Sequence, residues 1–210
     1  MVLFLGMAFG ILMILFLIGG AILSKLTGIP LLEMANSDGW KTGDPNVLFM
    51  LRGMILLQFL GMFLIPSLLY SYFADPHPTR YLGLQKPSKG LYWFIGIAAL
   101  LVAIPLVEYT GILNQQLPVS KSTYDSIQQM EQSAAKTIQV MLGKHTIGNL
   151  VTNLIFISLF AGIGEELFFR GVLQRLLIRA FKNPWMGIVV AAAAFSFIHF
   201  SILTLFFFVR

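Results

Sequence analysis

The chain has 210 residues, of which 57% are hydrophobic and only 11% are charged, whereas about 25% of residues carry a charge in ordinary soluble domains. This composition excludes a soluble globular protein and indicates an integral membrane protein. The formal net charge of +5 does not indicate a nucleic-acid partner, because the sequence has no dense basic tract. The absence of cysteine excludes a disulfide framework, thiolate metal sites and a cysteine nucleophile.

Several apolar segments have the length that a helix needs to cross roughly 30 Å of hydrocarbon. In chain order, the five predicted spans cover residues 2–24, 47–73, 91–112, 147–174 and 185–206. The first span has no basic n-region and no A-x-A cleavage site, so we expect it to be retained rather than cleaved as a signal peptide. The predicted fold class is therefore all-α, a polytopic transmembrane helical bundle that forms a single membrane domain over residues 1–210.

Basic residues between the spans predict the orientation of the bundle, because cytoplasmic loops are enriched in Lys and Arg. Basic residues concentrate in two short segments, 75–90 and 170–184. The basic residues of these segments are Arg80, Lys86, Lys89, Arg170, Arg175, Arg179 and Lys182. Both segments and the N-terminus are therefore predicted to be cytoplasmic. Membrane lipid is an expected partner, and the expected location is a bacterial plasma membrane.

The segments 25–46 and 113–146 are predicted to face outward. Within the second of them, apolar residues recur at helical spacing over 121–143, which predicts an amphipathic helix on the outer side. We interpret this helix as a connector in preference to a substrate gate. Arg52 and Glu108 lie at similar depths near the outer ends of the second and third spans, so an ion pair between them is a further prediction.

The fourth span contains two adjacent carboxylates, Glu165 and Glu166, followed by Arg170. An ionisable side chain inside a span is costly and marks a functional site by default. Glu166 and Arg170 are i, i+4 neighbours and are expected to form an ion pair. Glu165 is rotated about 100° from Glu166, on a face with the small residues Ala161 and Gly162. Water or a peptide backbone can approach that face, so Glu165 suits the role of a general base.

The fifth span contains His199, four residues after Phe195. If the fourth and fifth spans are antiparallel neighbours, Glu165 and His199 reach similar depths and can hold a water molecule between them. Taken singly, the Glu166–Arg170 pair is more often structural, and a lone histidine often bonds a backbone carbonyl. A second buried acid beside a paired one adds repulsion without a structural need, so the combination favours a catalytic function.

These residues resemble the CPBP family of intramembrane proteases, which includes the type II CAAX prenyl endopeptidases. The family motif E-E-x-x-x-R matches Glu165, Glu166 and Arg170, and the motif F-x-x-x-H matches Phe195 and His199. The resemblance implies that Glu165 activates water, that His199 helps to hold it, and that Glu166 with Arg170 supports the site. It implies a peptide or a prenylated protein as substrate.

The resemblance leaves the cofactor open, since the family has been described both as metallopeptidases and as metal-independent proteases. No cofactor is required on the sequence, and zinc is possible with Glu165 and His199 as ligands. The family pattern continues with another histidine and an asparagine, and neither residue type follows His199 here. We therefore expect the chain to be truncated at its C-terminus, without the family's last spans.

The sequence thus predicts an intramembrane endopeptidase of the CAAX-processing or bacteriocin-processing type that uses glutamate-activated water. The alternative is a non-catalytic membrane scaffold or a bacteriocin self-immunity protein that retains the protease motifs. A proton-coupled transporter is a weaker third hypothesis, because no pair of broken helices and no internal repeat is present.

Overall fold

The computed structural model describes residues 1–31, 40–41, 43–115, 120–143 and 145–198. All regular structure in these ranges is helical, which confirms the predicted all-α bundle. In chain order, the helices of this part of the chain are α1 (Val2–Thr27), α2 (Pro45–Ala74), α3 (Pro78–Tyr81), α4 (Leu91–Gln115), α5 (Lys121–Leu142), α6 (Ile147–Phe181) and α7 (Pro184–Ile198).

Three of these helices, α1, α2 and α6, are long and apolar enough to cross a membrane. Two shorter apolar stretches, Leu91–Pro105 in α4 and Pro184–Ser196 in α7, correspond to the other two predicted spans. Each of the five predicted spans therefore coincides with apolar helix where the structure describes it. That α4 and α7 cross the membrane stays a prediction, and the end of the fifth predicted span lies outside the described residues.

Two of the long helices are continuous but contain π-helical turns. Such a turn covers Phe59–Leu64 in α2, and two more cover Leu154–Leu159 and Glu166–Leu173 in α6. π-Helical turns inside α-helices are frequent at functional sites. The last of them begins at Glu166 and contains Arg170, so the irregularity in α6 coincides with the charged residues of the fourth span.

The main hydrophobic core lies at one end of the bundle, where α1, α2, α6 and α7 meet. The Phe4 ring near the start of α1 lies 4.8 Å from the Phe168 ring of α6 and 5.2 Å from the Tyr70 ring near the end of α2. These contacts place the N-terminus and the start of segment 75–90 at the same end as the second half of α6. The predicted orientation requires this arrangement, while the side of the membrane that this end faces stays a prediction.

A smaller apolar cluster joins α5 to the opposite end of the bundle. Val140 and Met141 of α5 are buried against Val47, Leu48 and Leu51 of α2. The rest of α5 is largely exposed, with about half of the Tyr124 and Ile138 side chains accessible. The helix predicted over 121–143 is therefore present and contacts the bundle through its C-terminal end, while its place on the outer side stays a prediction.

Candidate active site

Helix α6 carries the two adjacent glutamates and the arginine. An Nη1 nitrogen of Arg170 donates to Oε2 of Glu166 over 3.0 Å, so the ion pair predicted from helical spacing is present. Both side chains are exposed, at 73% for Arg170 and 56% for Glu166. Glu165 is half-buried and lies one residue before the π-helical turn.

The opposite face of this turn is apolar and fixes the helix in the core. Leu167, Phe168 and Val172 are each less than a tenth exposed. Gly164 lies directly against α2, since a Cβ atom on it would lie 2.9 Å from Cβ of Phe63. Burial of this face turns the charged side chains away from the core, and the contact at Gly164 holds the neighbouring Glu165 close to α2.

Glu165 lines two cavities. One, of about 380 Å³, lies between α6 and α7 and is also lined by Glu166, Arg170, Phe195 and Ser196. The residues of the first motif and the phenylalanine of the second therefore share one cavity. The other, of about 190 Å³, lies between α2 and α6 and is lined by Gln58 and several aromatic side chains. Glu165 is thus accessible from both sides of α6.

A tight hairpin between α6 and α7 brings the two motifs together. Lys182 ends α6 in the left-handed conformation, with φ of 52°, and Oδ1 of Asn183 accepts hydrogen bonds from the backbone N–H groups of Trp185 and Met186. A Cβ atom on Gly187 would lie 2.7 Å from the backbone nitrogen of Ile178, so only glycine permits this approach of the two helices.

Further along the hairpin, the Phe169 and Phe195 rings meet edge to face with their centres 5.0 Å apart. This contact fixes the end of α7 against α6 beside the cavity. Phe195 therefore packs against Phe169. His199 follows four residues later but lies outside the described residues, so its approach to Glu165 stays a prediction.

Among the residues that the structure describes, no three His, Cys, Asp or Glu side chains lie close enough to hold a metal ion. The described part of the cavity supplies two carboxylates, and that of Glu166 is paired with Arg170. A zinc ion bound by Glu165 and His199 therefore stays a prediction.

A second polar cluster lies near the start of α6, and the sequence did not predict it. Arg52 of α2 donates through Nη2 to Oδ1 of Asn149 and, over 2.9 Å, to Oδ1 of Asn153. The two amide Nδ2 groups donate in turn to the backbone carbonyl oxygen of Met141 in α5, over 3.1 and 2.8 Å. This asparagine cluster joins α2, α5 and α6.

The sequence feature that could have indicated the asparagine cluster is the i, i+4 spacing of Asn149 and Asn153, which puts both amides on one face of the fourth span. The ion pair predicted between Arg52 and Glu108 stays a prediction, since the Glu108 side chain lies outside the described residues. Gln58 is a second residue with no predicted role, and its place beside Glu165 in the α2-side cavity adds a polar group to the candidate site.

A protein-family model matches the segment that contains both motifs. Residues 147–209 match the model described as type II CAAX prenyl endopeptidase Rce1-like. Comparisons with curated proteins and with solved structures gave no match. The match confirms the resemblance inferred from the motifs: residues 147–209, which include Glu165, Glu166, Arg170 and His199, are similar to the type II CAAX prenyl endopeptidases.

Proposed function

We propose that this protein is an intramembrane endopeptidase in which Glu165 activates water. The observation that carries the proposal is the position of Glu165, half-buried at a cavity that also holds Glu166, Arg170 and Phe195. A carboxylate there can reach water and substrate. The Rce1-like match over residues 147–209 independently supports a CAAX-type protease.

In the proposed reaction, the Glu165 carboxylate removes a proton from water, and the resulting hydroxide attacks the carbonyl carbon of the scissile peptide bond. The carbon–nitrogen bond of the tetrahedral intermediate then breaks, and the leaving amine takes up the proton from Glu165. His199 orients the water molecule, and the Glu166–Arg170 pair keeps a positive charge close to the developing oxyanion. Zinc, if bound by Glu165 and His199, would polarise the water.

The substrate is proposed to be a peptide that enters from the membrane, of either the prenylated CAAX type or the bacteriocin type. The basic residues at the end of the bundle that holds the α6–α7 hairpin support cleavage near the cytoplasmic face. The protein is then a multi-pass protein of the plasma membrane with its N-terminus in the cytoplasm.

The test compares the full-length gene product with its Glu165→Ala and His199→Ala variants in proteoliposomes. A prenylated CAAX peptide and a bacteriocin precursor are offered in parallel, and the cleavage products are identified by mass spectrometry. We expect cleavage of one peptide class by the wild-type protein and a loss of at least about a hundredfold in each variant. Undiminished cleavage in either variant would refute the role assigned to that residue.

The alternative is a non-catalytic scaffold or self-immunity protein, and the same variants separate it from a protease. A scaffold requires the helix packing at Gly164 and Phe169 but not the Glu165 carboxylate. A cellular phenotype that survives Glu165→Gln, together with the absence of cleavage by the wild-type protein, would favour the scaffold.

A further inference from the structure

A separate charged site lies at the end of the bundle, where α2 and α6 end. Arg175 and Arg179 are i, i+4 neighbours on α6, and their guanidinium carbons lie 5.4 and 5.8 Å from the centre of the Tyr81 ring. Tyr81 belongs to α3, directly after α2, and is only 3% exposed. Two cations therefore share one aromatic ring, an arrangement that favours guanidinium groups.

The turn after Tyr81 is packed against α6 and completes the site. Leu82 is buried, and a Cβ atom on Gly171 would lie 3.1 Å from its Cδ2 atom. Gly83 has a positive φ of 74°, and a Cβ atom there would lie 3.5 Å from Nη2 of Arg175. The guanidinium group of Arg175 thus lies close to both the Tyr81 ring and the backbone of this turn, in a place formed by two separate segments.

Neither Arg175 nor Arg179 forms an ion pair within the part of the chain that the structure describes. Asp75 acts electrostatically on the Tyr81 phenol but forms no ion pair with either arginine, and its Oδ1 accepts a hydrogen bond from the backbone N–H of His77. Burial raises the pKa of the Tyr81 phenol, so this group stays neutral and offers no compensating charge. Like charges at i, i+4 repel each other, and an external anion would relieve that repulsion.

The surroundings of Arg175 and Arg179 indicate that the anion is the headgroup of a lipid. Tyr72, Phe73 and Trp185 lie at the same end of the bundle and are 69%, 79% and 77% exposed. Exposed aromatic side chains at the ends of spans are typical of the level of the lipid headgroups. A guanidinium fork binds phosphate in a bidentate manner, and basic pockets between membrane helices bind anionic headgroups.

We propose that Arg175 and Arg179, held over Tyr81, bind the phosphate group of one anionic phospholipid. The site does not depend on catalysis at Glu165, so the two proposals can fail separately. The lipid would fix the turn after Tyr81 to the end of α6.

The test measures retention of phosphatidylglycerol by the purified protein in neutral detergent micelles, where a trace of lipid creates no charged surface. Native mass spectrometry counts the bound lipids. We expect the wild-type protein to retain one phosphatidylglycerol, and Arg175→Gln/Arg179→Gln to bind it at least about tenfold more weakly, since a hydrogen bond to a charged group contributes at least about tenfold. The matched control Lys86→Gln/Lys89→Gln removes the same charge from the same end and should change the affinity by less than about twofold.

Equal losses in both double variants would overturn the site, because only the net charge would then matter. Displacement of phosphatidylglycerol by millimolar inorganic phosphate would overturn the choice of a lipid. The variant Arg175→Lys/Arg179→Lys keeps the charge and the fold but lacks the planar fork, and we expect it to bind about fivefold more weakly. Wild-type affinity in that variant would refute the stacked guanidinium geometry.

Discussion

Helix α6 carries two polar groups that have opposite surroundings. Near its start, Asn149 and Asn153 are 9% and 3% exposed, and both amides bond to Arg52 and to the Met141 carbonyl. Near the hairpin, Glu166 and Arg170 expose more than half of their side chains and share a cavity with Glu165. We call the first group closed, because its amides are buried and hydrogen-bonded. We call the second group open, because water or a substrate can reach its exposed side chains.

This difference separates two reasons for a polar residue to lie in a membrane span. A closed cluster joins helices, because each amide left without a partner in apolar surroundings costs about 1–3 kcal/mol. An open group adds little to stability, since exposed ion pairs contribute about 0–1 kcal/mol, but it can meet water and substrate. We therefore expect stability to depend on the asparagine cluster and activity to depend on Glu165.

The largest expected effect is on catalysis at Glu165. Glu165→Gln keeps the size and polarity of the side chain but removes its ability to accept a proton from water. Cleavage should fall by at least about a hundredfold, the range typical of a general base, while the thermal unfolding temperature in detergent stays within a few degrees of the wild type. Both quantities are measured on the same preparation.

Ser196 provides the control for this prediction, because it lines the same cavity on α7. Ser196→Ala should retain most of the activity. A Glu165→Gln variant that unfolds at a much lower temperature and still cleaves would reverse the assignment of the two polar groups.

The next effect is on stability at the asparagine cluster. Asn153→Leu removes one partner from Arg52 and one donor from the Met141 carbonyl, so unfolding should become easier by about 1–3 kcal/mol. Activity per folded molecule should change little. Thermal unfolding followed by circular dichroism in detergent measures the change.

Thr152→Val is the matched control, because Thr152 is adjacent and its hydroxyl donates within its own helix, to the Gly148 carbonyl oxygen over 2.7 Å. We expect this variant to unfold near the wild-type temperature. If Thr152→Val destabilises the protein as much as Asn153→Leu does, Asn153 does not stabilise the protein by connecting the helices.

The two polar groups also differ in how far the sequence predicts them. The Glu166–Arg170 pair depends only on helical periodicity, and the separate direction of Glu165 follows from the same geometry, so local spacing was sufficient. The partners of Arg52 lie 97 and 101 residues further along the chain. Spacing within one helix contains no information about such a contact. For this reason the predicted partner of Arg52 was Glu108, which lies at a similar depth in another span.

The overall fold shows the same limit. Apolar runs of sufficient length predicted each helix that is long and apolar enough to cross a membrane, because length and composition decide insertion. The approach of α6 and α7 depends on a contact between Gly187 and Ile178, and the two cavities beside Glu165 depend on how three helices pack. Neither property follows from the composition of a single segment.

The smallest expected effect concerns the open ion pair. Glu166→Gln and Arg170→Gln should each lower cleavage by about tenfold, because either change leaves the partner's charge uncompensated beside Glu165, while stability changes by less than about 1 kcal/mol. If the two residues act only as a pair, the double variant Glu166→Gln/Arg170→Gln should be no worse than either single variant, since effects within one interacting pair are not additive. Single-turnover cleavage rates of the wild type, the two single variants and the double variant together form a double-mutant cycle. An additive loss of about a hundredfold in the double variant would show that Glu166 and Arg170 act on the reaction independently, and the open group would then contain three separate contributors rather than one base and its supporting pair.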